Sequence, residues 1–359
     1  MATGLLRDTV SLPMQSVHGY RTEAYSIGLL ELIDRILLSH EGASVWARAD
    51  MTGDILDAPL VSVGLPVYNG LPYLAQALES LCRQDLEDVE IIVCDNASSD
   101  GTGDLVRDLA MRDRRIRYVR NPRNLGSSHN HNKVFSLARG RYFRWAASDD
   151  FVSAGVLSRC VRALEDDSTR ILAFPESVLV DAQGTALRTY DDGDGWSAAT
   201  AADRFEVSLA QWGYCNVIYG VIRADVLRHT RLLGSYPGSD LVLQADLAIR
   251  GAFTRVRGEY YHRRIHDGCT NERDPEQLAQ FFIPERSKPF DSKLLRIFCE
   301  LTGIVWDAPI GIDQKRRMYG ALARRALWAR DSLAAEAREV LTGFWERRSP
   351  KQPAGRRSS

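Results

Sequence analysis

The chain has 359 residues, 45% hydrophobic and 26% charged, an ordinary balance for a soluble globular protein of one large domain or two. Its 46 Lys and Arg nearly cancel its 47 Asp and Glu, so no global charge points to nucleic acid, and none is expected as a partner. No apolar run approaches the ~20 residues that span a bilayer, and the start lacks a signal-peptide core. The cysteines Cys82, Cys94, Cys160, Cys215, Cys269 and Cys299 are scattered without a C-x-x-C pair, which reads as free thiols in a reducing compartment. A cytoplasmic location follows as the expectation.

Residues 1–58 read as an N-terminal helical extension. Leu29, Leu30, Ile33, Ile36 and Leu37 recur there at helical spacing, and the polar face between them is not basic. The main domain is expected over 59–270. A β-rich run, Leu60 to Leu65, ends in the turn Pro66-Val67-Tyr68-Asn69-Gly70. A helix follows from Leu71 to Cys82, then a strand from Val89 to Cys94. That strand ends in Asp95-Asn96-Ala97-Ser98-Ser99-Asp100-Gly101-Thr102, rich in capping residues. Another helix over 103–112, a strand at Ile116–Val119 and a helix over about 128–138 lead to the apolar run Tyr142–Ala147. Strands alternating with helices predict a mostly parallel, Rossmann-like sheet with helices on both faces.

Ser148-Asp149-Asp150 follows that last strand, with Ser153 in N-cap position for the next helix. Side-by-side carboxylates repel unless a cation or a donor meets them, and a divalent metal carrying a phosphate-bearing substrate is one answer; a solvated turn is the other. In a parallel sheet Tyr68-Asn69, Asp95-Asn96, Asn124 and Asp149-Asp150 all fall on one edge, where such sheets bind ligands. Short strands are expected at Ile171–Phe174 and Ser177–Asp181, and the run 190–197 as a flexible polar loop without EF-hand spacing. A helix over about 200–211, a strand over Cys215–Gly220, a helix from Leu241 to Arg250, and strands at Phe253–Val256 and Tyr260–Ile265 complete the domain. His129 and His131, two apart on a helix, point away from each other and are set aside as a metal pair. Residues 271–345 form a C-terminal extension, irregular to 312 and then one long helix with an apolar stripe from Met318 to Val340 and an Arg-rich opposite face. The remainder, 346–359, reads as a disordered tail.

This order of motifs resembles the family 2 inverting glycosyltransferases, which have the GT-A fold. The resemblance covers 60–270 and rests on Val63-Gly64-Leu65-Pro66-Val67-Tyr68-Asn69, on Val93 to Thr102, on Arg123-Asn124-Leu125-Gly126 with Asn132, and on Ser148-Asp149-Asp150. It implies an α/β domain with a nucleotide-binding half, 59–165, and an acceptor half, 166–270. By the resemblance, Pro66, Tyr68, Asp95 and Asn96 surround the nucleotide base, with Tyr68 packing on it, and Asn69 belongs to the same nucleotide-sugar site. Asp150 matches a metal ligand, Asp149 a ribose or metal contact, and His266 a position near the diphosphate and metal. Arg263 or Arg264 would add a clamp on the diphosphate. Asp240 matches the catalytic base, although a helix N-cap is its plain alternative. The implied cofactor is Mg2+ or Mn2+. The implied partners are a nucleotide-diphosphate sugar and a glycan, lipid-linked or small-molecule acceptor, as in polysaccharide or glycoconjugate biosynthesis.

The sequence departs from the family at Asn96, where Asp is frequent, at Ser148, again for Asp, and at Ser239, for Glu. Those last two leave open a non-catalytic nucleotide-sugar-binding scaffold. A sugar-phosphate nucleotidyltransferase is the third reading, weakened because its Gly-rich, Arg-containing loop after the first strand is absent. The terminal extensions leave room for a homodimer or for peripheral contact at the inner face of a membrane.

Overall fold

The computed structural model describes residues 58–269, 273–286, 288–290 and 292–348. The amphipathic segment at 29–37 and the tail at 349–359 lie outside the described residues. The first half is built of β-α-β units: β1 (Val61–Val67), α1 (Leu74–Cys82), β2 (Val89–Asp95), α2 (Thr102–Arg112), β3 (Ile116–Arg120), α3 (Ser127–Ser136) and β4 (Tyr142–Trp145). These strands are parallel in the order β3-β2-β1-β4. Alternation splits β2 between two cores: Ile91 and Val93 face one cluster, Ile92 and Cys94 the other. Every residue of β1 and β2 is buried, which is why both read as near-continuous apolar runs.

Pro66 is tolerated inside β1 for a geometric reason. Gly64 offers its carbonyl to Ala146 on the β4 side, and Pro66, two residues on, faces that same side. The ladder with β4 has already ended at Trp145, so the missing N–H leaves no partner unmet. Beyond Trp145 the chain is free to leave the sheet, and it does so through Asp149 and Asp150.

The second half adds β5 (Phe151–Val152), α4 (Val156–Glu165), β6 (Arg170–Val180), β7 (Ala186–Tyr190), α5 (Ala201–Ala210), β8 (Val221–Arg223), α6 (Ala224–Leu227), α7 (Ser239–Arg250) and β9 (Ala252–Arg264). The sheet continues β4-β8-β6-β9-β5, with β7 hydrogen-bonded to β6. Only β6 and β9 are parallel here; β8, β7 and β5 pair antiparallel, so the expected parallel character holds across the first half and gives way to a mixed sheet in the second.

Several elements differ from the sequence reading. The short strands expected around Pro175 are one strand, because the register shift opposite Pro175 and Glu176 absorbs the proline. In the same way β9 runs through Arg257-Gly258-Glu259 without ending. Asn216–Tyr219 is a turn of 3-10 helix after Cys215 in the left-handed region, and the strand follows only at Val221. Ser153 does not cap a helix: its backbone and hydroxyl pair with Tyr260, and α4 starts after Gly155.

The C-terminal extension contains α8 (Pro275–Phe282), α9 (Lys293–Asp307), α10 (Ile312–Trp328) and α11 (Arg330–Arg348). Residues 293–307 are thus a helix where irregular structure was expected, and the long helix breaks at Ala329. Ile297, Leu301 and Ile304 of α9 pack with Met318 and Leu322 of α10 against Phe205 of α5 and Val242 of α7. Through α7 this helical layer supports the residue singled out as the base. Gly126, at φ +84°, lets the β3–α3 loop meet α8: a Cβ there would lie 2.1 Å from the Phe282 carbonyl oxygen.

Candidate active site

Asp149 and Asp150 sit between the end of β4 and the start of β5, and β5 pairs with the far end of β9. That pairing brings residues more than a hundred positions apart together. The Asp150 carboxylate is 7% exposed; it accepts from the Arg264 backbone N–H at 2.7 Å and from the Tyr261 hydroxyl. Asp149 turns the other way. Its carboxylate meets His266 Nε2 at 3.1 Å. Cys269 Sγ lies near both, so Asp149, His266 and Cys269 form one cluster of donor atoms within 4.8 Å. Asp149 and not Asp150 is therefore the carboxylate that shares a site with His266, a difference from the resemblance-based pairing.

Successive residues of β9 point to opposite faces, and this separates the arginines. Arg264 is 2% exposed and largely committed: Nε to the Asp149 carbonyl at 2.8 Å, Nη1 to the Ala182 carbonyl at 2.8 Å, Nη2 to Gln76, with Tyr73 and Phe151 rings against the guanidinium. It pins the carboxylate turn through four of its five N–H groups, which leaves one donor at most for a diphosphate. Arg263 lies on the other face, half-buried, over the Tyr214 ring and donating to the Tyr214 carbonyl and Asn216 Oδ1. Burial alone would depress its guanidinium pKa. The neighbouring Tyr261 and Asp150 more than offset that and raise it, so the side chain stays charged.

Asp240 is in the first turn of α7. The cap is Gly238, at φ +88°, so the plain N-cap reading does not describe it. The half-buried carboxylate accepts only from its neighbour Leu241 N–H, at 3.1 Å, among the described residues. Burial raises its pKa, against the pull of that N–H and of the Arg263 and Lys293 charges. Arg263 acts on Asp150 as well, and so stands electrostatically between the carboxylate pair and Asp240.

On the β1–β2 side the structure distributes the expected base-site residues differently. Tyr68 is 51% exposed at the end of β1, its ring free for a partner. Pro66 is buried. Asn69, at φ 51°, accepts from Ser99 N–H, and its own N–H donates to Ser98 Oγ, which fastens the β1 loop to the β2 loop. Asp95 is fully buried; burial would raise its pKa, but hydrogen bonds from Ser98 and Tyr118, and Arg120, hold it below the usual carboxylate range. Asn96 is 2% exposed. Its Oδ1 accepts from Asn121 and Leu125 N–H, and its Nδ2 donates to Asn124 at 2.6 Å. Both ends are occupied, so Asn96 shapes the loop from within and has no free edge for a base.

Sequence reasoning missed Tyr261, Tyr73 and Gln76. Tyr73 packs on His266 with ring centroids 4.7 Å apart. Only the strand alternation Tyr261–Arg263 could have signalled the first. Arg144 of β4 was missed too: it is 1% exposed, and its Nε and Nη1 have no hydrogen-bond partner among the described residues.

The donor chemistry fits a hard divalent cation, with one adjustment. Carboxylate oxygen and imidazole nitrogen suit Mn2+ better than Mg2+, while the Cys269 thiol, its pKa raised by burial, stays protonated and donates to the Arg264 carbonyl. Gly268 N–H donates to His266 Nδ1, so Nε2 carries the proton toward Asp149; a cation there would require the other tautomer and a shift of the exposed Asp267-Gly268 turn. Asp150 gives a pH test. Burial, then the Asp149 charge, pushes its carboxyl up to about 7. A carboxyl with a raised native pKa binds more protons folded than unfolded, so it costs stability as pH rises from about 4 to about 7. Asp192, Asp240 and Asp246 shift in the same direction. Thermal melts in EDTA should fall over that window, Mn2+ should restore more stability at pH 7.5 than at pH 5, and Asp150→Asn should flatten the metal-free slope. A slope unchanged by that substitution would place the effect on the other carboxyls.

Residues 62–179 match the family described as Glycosyl transferase family 2. Over 114 residues the chain is 36% identical to the uncharacterized glycosyltransferase EpsJ of Bacillus subtilis (strain 168), covering 32% of this chain and 33% of that protein. It is 25% identical over 190 residues to the GalNAc(5)-diNAcBac-PP-undecaprenol beta-1,3-glucosyltransferase of Campylobacter jejuni, covering 53% and 60%. The chain thus spans about a third of the first relative and 60% of the second. Among solved structures, S. aureus TarS 1–349 in complex with UDP-GlcNAc superimposes with a TM-score of 0.56 at 15% identity, covering 74% of this chain and 72% of that one. The family match and the fold agree with the motif order along β1, β2 and β4: residues 62–179 are those of a glycosyl transferase family 2 match, and the fold is GT-A.

Proposed function

We propose that this protein moves a sugar from a nucleoside-diphosphate sugar to a hydroxyl of a glycan, lipid-linked or small-molecule acceptor, with inversion at the anomeric carbon and the help of a divalent cation. The observation that carries the reading is the pairing of Asp240, a half-buried carboxylate of raised pKa with one weak local hydrogen bond, with the Asp149–Asp150 turn across a charged Arg263. The TarS structure with UDP-GlcNAc supports a uridine nucleotide as the first donor to try. The name of the Campylobacter relative supports a lipid-linked acceptor, which would place the protein at the inner face of a membrane. No described helix is long and apolar enough to cross one.

In this reading Tyr68 offers its exposed ring to the base. Asp149 and His266 hold the cation, Mn2+ before Mg2+, which when bound offsets negative charge on the leaving diphosphate. Arg263 adds a fixed positive charge on the same side. Asp240 takes the proton of the acceptor hydroxyl as its oxygen bonds to the anomeric carbon and the bond to the diphosphate oxygen breaks. Ionised, half-buried and sparsely solvated, it is a better base than an exposed carboxylate. Arg264, Tyr261 and Gln76 bind nothing; they keep the carboxylate turn rigid.

Calorimetric titration of UDP, GDP and dTDP, with and without Mn2+, tests the donor half. Binding of one nucleotide, strengthened by Mn2+ and weakened in Asp149→Ala, is expected. Absence of binding to all of them by folded protein would overturn the reading.

A further inference from the structure

Beside Asn216, which accepts from Arg263, there is a small cavity of about 10 Å3, lined by Asp192, Asn216, Gln244, Cys215, Tyr190 and Gln211 among others. Its rim residues Tyr190 and Gln211 are half-buried, while Asp192, Asn216 and Gln244 are 6%, 4% and 1% exposed. Asn216 Nδ2 and Gln244 Nε2 are buried and make no hydrogen bond of good length and angle among the described residues. Leaving such donors unmet is costly, so the cavity is built for something that accepts. Asp192 supplies the opposite capacity. The Asn216 amide and the buried Ser177 hydroxyl lie beside it and temper the rise in its pKa, to about 6, that burial causes. Two N–H donors and one carboxylate are the complement of a single hydroxyl, which has two lone pairs and one proton. The volume suits one oxygen and excludes a sugar ring.

The neighbours place this cavity on the acceptor side. The other end of Asn216, Oδ1, accepts from Arg263 at 3.0 Å. Cys215, on the cavity wall, feels the charge of Asp240. We propose that the cavity is an acceptor subsite that takes one hydroxyl of a polyhydroxylated acceptor, held by Asn216 and Gln244 and donating to Asp192, so that another hydroxyl of the same molecule is presented to Asp240. This rests on the glycosyl-transfer reading above. It makes the subsite a selector of acceptor stereochemistry, because a ring with that hydroxyl absent or inverted leaves two buried amides unpaired.

The test uses full-length protein with UDP, the matching UDP-sugar and Mn2+. Methyl glycosides of glucose, galactose and N-acetylglucosamine serve as acceptor probes, each alongside its monodeoxy analogues. The side-chain amide of Gln244 is followed by NMR in glutamine-labelled protein. One glycoside should shift that amide, and its deoxy analogue at one position should show a KM about 10- to 100-fold higher. In Gln244→Met that discrimination should shrink to about threefold or less, while UDP affinity stays within about twofold of the wild type. Asp192→Asn, a second variant that keeps the volume, should lose the same discrimination. Unchanged deoxy discrimination in both variants, or no amide shift with any glycoside in protein that binds UDP, would overturn the subsite and leave an ordered water in its place. Failure of the wild type to bind UDP at all would instead remove the glycosyl-transfer reading, and the subsite with it.

Discussion

Asp240→Asn is expected to lower kcat for sugar transfer by about 100- to 10,000-fold while UDP affinity stays within about twofold. The substitution keeps the shape and the acceptor oxygen that meets Leu241 N–H, so α7 and its Gly238 cap are undisturbed. It removes only the capacity to take a proton. The same change should leave the folded state at least as stable at pH 7.5. Burial raises the Asp240 pKa, so the ionised form opposes folding at that pH, and the neutral amide does not. A loss of activity with a gain or no change in melting temperature is the signature of a group kept for chemistry at the expense of stability. Near-wild-type turnover in this variant would rule Asp240 out as the base.

Arg264→Met should behave in the reverse way: about 3 kcal/mol less stable in urea unfolding, with metal-dependent nucleotide binding weakened as a secondary effect. The cost comes from carbonyls of Asp149, Asp181 and Ala182 and the amide of Gln76, all of which lose a charged donor. Arg263→Met removes fewer buried partners and should lower stability less while weakening nucleotide binding directly. If Arg264→Met proved as stable as wild type but lost donor affinity, Arg264 and not Arg263 would be the clamp.

That contrast shows what was readable from the amino-acid order. The strands β1 to β4 were legible because both faces are buried and their residues are apolar without interruption. The carboxylates at their ends were legible because polar residues cluster where strands stop. Which of two adjacent arginines faces the site was not, since it depends on the register of β9 against β6, set by a bulge around Gly258. Asn96 resembled a base contact because its neighbours did; that both its ends are satisfied by Asn121, Asn124 and Leu125 is a property of loop closure. The helix at 293–307 was hidden by its surroundings of proline and charge, although Ile297, Leu301 and Ile304 carry helical spacing. The polar cavity had no local signal, as Asp192, Asn216 and Gln244 come from separate elements.

The pairing of β5 with the end of β9 has a consequence for how the protein is made. Asp150 precedes Tyr261 by 111 residues and Arg264 by 114, while Asp149 precedes His266 by 117. The first four strands close through short local crossovers and can assemble as the chain leaves the ribosome. The two carboxylates then wait, without arginine, tyrosine or histidine, until β9 emerges and inserts beside β6. A chain cut short before residue 252 would carry a sheet with an open edge and a bare acidic turn, prone to association and without the histidine that pairs with Asp149. If sugar transfer is the activity, competence for it arrives late and all at once, and shortened chains should be inert.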